Sequence, residues 1–413
     1  MLKLPQLAYL GTVAFSGISV GAQMVILPWL GVAILGLSAS ELGVLQAAKL
    51  MPLLLFLLIG GAISDHKDNR VWLSNLYFLL LLPQLFLAWL VSDNFLNLFF
   101  LCVYGFSLGA ILAFVQPARE RILPSIAGDS GGERIQRWVI AITGLQFSAQ
   151  IAGFLMAGQM DNWNLVYILL GQGLFFAFCG VFIRFTPRGE SDRQRPPMAE
   201  SIKAGIDMVR QQPVLKQLIL LVIFNGAVSM GLYGVVMPIL VHRSLAESAN
   251  FYAYVQLGFA AGTVAVTLFL LLRKKKILQP GRLVALALFG SGLLMISIAT
   301  GLSTERLLVQ VVIWGVLSGI SMVMGRSIMQ ELSGDEHRAR AMSIYQLALF
   351  GSAPFGALVS GYLVDTFGVL ALLRAAGWVT LGVFAITLFA HSLWQFESRA
   401  NKPEDSSSLR SSE

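Results

Sequence analysis

The length and spacing of its apolar runs constrain this chain more than any other feature. Twelve stretches, nearly free of charge, follow one another with short polar breaks between them. A helix rising 1.5 Å per residue needs about 20 apolar residues to cross a bilayer. Lipid offers the backbone no partners, so a spanning segment must satisfy its own amides, as a helix does. Spans are therefore predicted near 7–31, 40–63, 71–91, 95–116, 136–158 and 163–185, and again near 214–241, 250–272, 281–301, 306–330, 340–364 and 369–393. With 56% hydrophobic and only 12% charged residues, the chain lacks the polar surface of a water-soluble globule. The expected fold class is all-α integral membrane, with about twelve transmembrane helices. The first run, from about Leu7 to Leu35, exceeds a signal-peptide core and lacks a small-x-small cleavage pattern, so it reads as a retained span.

The longest polar interruption, Arg184 to Lys216, lies near the midpoint. Thr186 to Pro197 cannot bury itself in lipid, and Met198 to Gln212 places Ile202, Ile206 and Val209 on one side, the pattern of a short interfacial helix. The expected organisation is a six-helix bundle over 1–185, a cytoplasmic linker with this amphipathic helix over 186–213, a second six-helix bundle over 214–396, and a disordered Ser-rich tail over 397–413. Residue types that rarely coincide by chance repeat between the halves. Ser19, Gly21, Pro28, Gln46, Gly105 and Gly109 recur 210 residues later as Ser229, Gly231, Pro238, Gln256, Gly315 and Gly319. Glu133, Arg137, Gly153 and Gly158 recur 203 residues later as Glu336, Arg340, Gly356 and Gly361. Two pseudo-symmetric six-helix bundles are a common build of secondary transporters, which bind substrate between the repeats near mid-membrane.

Alternate loops carry nearly all of the Lys and Arg: Lys3, then Lys67 and Arg70, then Arg119 to Arg137, the linker, Arg273 to Arg282, Arg326 to Arg340, and the tail. The opposite loops carry only Arg243 and Arg306. Positive loops remain cytoplasmic, which predicts that both termini and the central linker are cytoplasmic. The formal charge of +7 is accounted for by basic loops against anionic lipid, and no nucleic acid partner is expected. Cys102 and Cys179 fall inside apolar runs, where they read as small packing residues. No nucleophile and base constellation, metal-ligand cluster or phosphate loop is present in the sequence, so neither an enzyme nor a cofactor is expected.

Charge inside a membrane span is costly and marks function by default. Lys49 is the sharpest case. Its repeat partner is Phe259, so duplication does not explain it. A cavity-facing cation could bind an anionic substrate; the alternative is a lysine snorkelling to the outer surface. Glu133 with Arg137 and Glu336 with Arg340 are spaced four apart at helix starts, a favourable ion pair that also complements the helix dipole, read as a gate or brace. No Asp or Glu lies in the middle of a span. Glu120, between Arg119 and Arg121, is the nearest candidate for a proton carrier.

The loop Gly61-Ala-Ile-Ser-Asp65-His-Lys-Asp-Asn-Arg70 resembles the signature loop between the second and third spans of the major facilitator superfamily, with Gly61, Asp65 and Arg70 matching. The resemblance implies that Asp65, with Arg70 as a partner, braces the second helix against the eleventh in the state closed to the cytoplasm. Phe114 to Pro124 and Arg338 to Gly361 are similar to segments of the exporter branch that includes the enterobactin exporter and drug efflux proteins. Leu101 and Gly105 stand where many proton-driven members carry an Arg. Gly144, Ser148, Ala149 and Gly153 stand where the exporter motif has Gly, Gly, Pro and Gly. On the helices that line the cavity in that family lie Gln23, Gln116, Asn225, Tyr233 and Trp314, each of which could instead make a helix-to-helix hydrogen bond. Gln46 and Gln256 read as helix bridges. The resemblance implies a monomeric exporter of small amphipathic molecules, siderophore-like or drug-like, by alternating access and proton antiport. An uncoupled facilitator or flippase, and a transporter-shaped receptor or assembly component, are the alternatives.

Overall fold

The computed structural model describes residues 3–64, 68–127, 131–187, 207–273 and 277–397; the side chains of 57–64, 124, 127, 131–137, 139, 140 and 334–340 lie outside that description. Among the described residues the chain is all-helical, and twelve segments are long and apolar enough to cross a membrane. The first six are Leu4–Ile34, Ala39–Phe56, Asn69–Ser92, Leu98–Leu123, Ala141–Asp161 and Leu165–Phe185. The second six are Pro213–Ser244, Ala249–Leu272, Pro280–Thr300, Thr304–Ser333, Ala341–Phe367 and Val369–Phe389. Each overlaps its predicted counterpart. The linker helix expected over 198–212 is described only from 207, where 207–211 are helical; the rest of it, and the tail beyond 397, lie outside the described residues.

Helix starts follow local chemistry. Asp68, Asn164, Ser248 and Ser303 each accept a first-turn backbone N–H with a side-chain oxygen, and Pro213 and Pro280 occupy first-turn positions that need no donor. The first and seventh spans both end in a π-helical turn, Leu30–Ile34 and Leu240–Ser244. Gly36 and Ala246 follow these turns with φ of 61° and 54°, so the second copy holds a left-handed conformation without glycine.

Helical backbone geometry runs unbroken from Thr304 to Phe367, where two spans were predicted. A straight helix would separate Gly325 and Tyr345 by about 30 Å. Instead the Tyr345 hydroxyl lies against Gly325 and donates to the Met322 carbonyl at 3.5 Å, so the segment folds back on itself as a hairpin of two spans.

Glycines set how closely the spans approach, and they do so twice. Lys49 lies against Gly105 as Phe259 lies against Gly315; Ile18 backbone packs on Gly153 as Ala227 does on Gly356; Gln150 covers Gly21 as Ala353 covers Gly231. Between the halves, Gly158 meets Asn250 and Ala253, while Gly361 meets Ala39 and Ser40. Small residues at such crossings let backbones touch where lipid supplies no hydrophobic drive. Gly315→Val is expected to cost about 1–3 kcal/mol of stability through overpacking, read as a lowered thermal midpoint of the purified protein. Gly382→Ala, at a glycine with open space beside it, is the control and should leave the midpoint unchanged.

Candidate functional site

The first, second and fifth spans of one half face the seventh, eighth and eleventh of the other. The end of this interface remote from the N-terminus, here the far end, is tightly joined. Trp29 stacks on Tyr252 at 5.7 Å between ring centroids and meets His242 edge-on at 5.3 Å. The Arg243 guanidinium donates to the carbonyls of Gly36, at 3.3 Å, and Leu37, capping the first span's terminal turn from the opposite half. Further in, the Gln46 amide donates to the Gly234 carbonyl at 2.9 Å, bridging the second and seventh spans as its reading as a helix bridge anticipated.

Lys49 lies one turn beyond Gln46, about 15 Å along the helix from Ala39. Its side chain is partly exposed and makes no hydrogen bond or ion pair among the described residues. The direction of that exposure follows from the helix itself. Val44 and Leu55 are exposed and, eleven residues apart, share one face; Lys49 sits roughly 120–140° from both, at about 100° per residue. Lys49 therefore turns away from the exposed apolar face that suits lipid, toward the side where Gln46 meets the other half. Its Cβ lies 3.5 Å from where a Cβ on Gly105 would be, so the fourth span closes its other flank.

Gln23 does not share that setting. Its Nε2 donates to Gln84 Oε1 at 3.1 Å and to Gln172 Oε1, and Tyr104 hydroxyl donates to Gln84 Oε1 at 3.3 Å. All four are essentially sealed from solvent. The cluster ties the first span to the third, fourth and sixth inside its own half. The equivalent positions in the second half are Tyr233 and Trp314, 210 residues on, and they too pack together, with ring centroids 5.4 Å apart. Tyr233 also meets Phe259 at 4.9 Å. Tyr233 and Trp314 are buried, and neither the Tyr233 hydroxyl nor the Trp314 indole N–H has a partner among the described residues. Gln23 thus makes the helix-to-helix hydrogen bonds that were its alternative to touching substrate, as a buried amide in hydrocarbon takes a neighbouring amide. Gln84 and Gln172 were missed; both are uncharged amides in mid-span, and their pairing with Gln23 is the signal that could have found them.

Asn225 is partly exposed and accepts from the Ser229 hydroxyl at 2.8 Å. The pair spans the start of a second π-helical segment, Ala227–Leu232, which the first span lacks. Such segments recur at functional sites because the extra residue redirects side chains. Gln116 is half-buried with no hydrogen bond among the described residues. Lys49, Gln116 and Asn225 are thus the expected site residues whose side chains remain open to a solute.

Glu120 is exposed near the end of its helix, beside Arg119, whose side chain donates to Gln146 Oε1 at 2.9 Å. Arg70 donates to the Arg184 carbonyl at 3.4 Å. Its expected partner Asp65 lies outside the described residues, as do the side chains of Gly61, Glu133, Arg137, Glu336 and Arg340, although the last four sit on continuous helix. A stability comparison separates the two kinds of polar residue. Gln84→Leu strips buried partners from Gln23 and Tyr104 and should cost about 1–3 kcal/mol. Lys49→Met removes a charge with no partner and should leave the thermal midpoint unchanged or higher.

The family profile described as transmembrane secretion effector matches residues 11–410. No curated relative matches the chain. Among solved structures, the nucleoside transporter NupG superposes with a TM-score of 0.73 at 11% identity, covering 93% of this chain and 98% of that one. A bacterial homolog of the human lysosomal transporter Spinster, inward-facing and unoccupied, gives 0.67 at 12% identity over 94% and 97% of the two chains. A POT family transporter in complex with a thioalcohol-conjugated peptide gives 0.71 at 14% over 93% and 95%.

Proposed function

We propose, from the premise that this chain belongs to the transmembrane secretion effector family and is a major facilitator superfamily transporter, that it exports small amphipathic molecules carrying an anionic group. Lys49 carries this reading. A lysine in mid-span, turned from the lipid-facing side and lacking a counter-ion among the described residues, is costly unless a ligand supplies the negative charge. Gln116 and the Asn225–Ser229 pair add polar contacts, and the surrounding aromatic and aliphatic side chains suit a bulky, partly hydrophobic body such as a siderophore or a drug-like acid. The proposed site residues are Lys49, Gln116 and Asn225, with Tyr233 and Trp314 as the aromatic wall behind them. Both termini face the cytoplasm of a bacterial inner membrane, and the joined far end faces outward. Alternating access exposes the site to either side in turn, with Gly61, Asp65, Arg70 and the pairs Glu133–Arg137 and Glu336–Arg340 closing the cytoplasmic end.

Proton antiport drives export in this reading, with Glu120 as the proton carrier. One observation favours a second reading, an uncoupled facilitator or flippase: no carboxylate occupies the middle of any span. Energised inside-out vesicles containing the protein decide between them. Addition of an anionic siderophore should collapse the pH gradient, a cationic lipophilic dye should not, and Lys49→Ala should abolish the anion response. Accumulation of the anion without proton movement would establish the uncoupled reading, and a response only to the cation would overturn the role of Lys49.

A further inference from the structure

The far end of the interface is joined by backbone amides as well as by side chains. The second span begins at Ala39, and its first amides have no partner within their own helix. Asp365, at the end of the eleventh span in the other half, fills that need with both oxygens: Oδ1 accepts from the Ala39 N–H at 2.9 Å and Oδ2 from the Ser40 N–H at 2.7 Å. The eighth span begins at Ala249, the repeat partner of Ala39. There Asp161, at the end of the fifth span in the opposite half, accepts from the Ala249 N–H at 3.0 Å. Each half thus completes a helix of the other, through a carboxylate at the end of the corresponding span.

We infer that Asp161 and Asp365 form a paired latch that holds the far end of the transporter shut, and that both contacts break when that end opens. The hydrogen bonds between the halves made by Asp365, Asp161 and Arg243 lie at this end, and that of Gln46 lies just inside it. The chemistry suits a latch that must release. Both carboxylates are exposed, and so is the water that replaces them on opening, which keeps the closing energy small. The helix dipole and the charged acceptor favour the joined form without a second fixed charge to separate. The two latches are unequal, since Asp365 holds two amides and Asp161 one. Within its own half the second span keeps a separate cap: the Glu41 N–H donates to Ser38 Oγ at 3.2 Å and the Ser38 N–H to Glu41 Oε2 at 2.8 Å. At Glu41, start-of-helix stability and cross-half closure are therefore separable by mutation.

The test is the distance across the far end, measured by pulsed electron resonance between spin labels at Ser92→Cys and Thr300→Cys, one in each half, in the full chain in lipid nanodiscs with Cys102→Ala and Cys179→Ala. Removal of a helix cap of this kind typically shifts an equilibrium by about fivefold. The ratio of long to short distances should rise by about that factor for Asp365→Ala, less for Asp161→Ala, and by roughly the product of the two in the double variant. Asp→Asn at both positions, which keeps shape and removes charge, serves if the alanine variants do not fold, and should shift the ratio in the same direction. Glu41→Ala, which removes the cap within the second span's own half, should leave it unchanged. An unaltered distribution in the double variant, or an equal shift from Glu41→Ala, would overturn the latch.

Discussion

Inside a bilayer a backbone N–H has no solvent to fall back on. That constraint produces uninterrupted helices and makes helix ends the chemically active parts of this molecule. Mid-span amides are satisfied within their own helix, which leaves little for adjacent spans to exchange except shape, and glycine supplies the shape. The ends are different. Their free donors and acceptors reach into the opposite half, as when Arg243 covers the carbonyls after the first span's last turn. Packing along the shafts is therefore close and permanent, while bonding at the tips is polar and reversible, a division of labour suited to rigid halves that rock.

The same repeat holds two chemically different interiors. Where the first half links Gln23, Gln84, Gln172 and Tyr104 through amide hydrogen bonds, the second places Tyr233 against Trp314 and Phe259. The positions correspond and the contacts do not. An amide network fixes its members by direction, whereas aromatic packing fixes them by volume. Lys49 and Phe259, again at corresponding positions, extend the contrast to the interface, with a cation on one side and a ring on the other.

Much of this was legible in the sequence because the governing variables are one-dimensional. Run length located all twelve spans, and Gly, Pro and Gln recurring at one offset pointed to a repeat that several glycine contacts follow. Lys49 stood out for the same reason, as a charge where the pattern forbids one. Direction around a helix was less legible. For Gln23 the sequence left open both a cavity-facing side chain and a helix-to-helix hydrogen bond, and the structure shows it bonded to two glutamines on other spans. Nor could the sequence show that Asp161 and Asp365 reach the opposite half, since their partners are backbone amides that carry no sequence signature. The unbroken helical geometry between the tenth and eleventh spans was hidden for a related reason, because the polar residues at the reversal read equally well as a loop.

The π-helical segments separate what the two halves share from what they do not. The terminal turns at Leu30–Ile34 and Leu240–Ser244 occupy equivalent places in the repeat, so each half carries the same wide turn at the far end. The segment at Ala227–Leu232 has no counterpart in the first span. Lys49 and Arg243 likewise stand where the other half has Phe259 and Ala33. In this chain the turn geometry at the far end is common to both halves, while these two cations are confined to single copies.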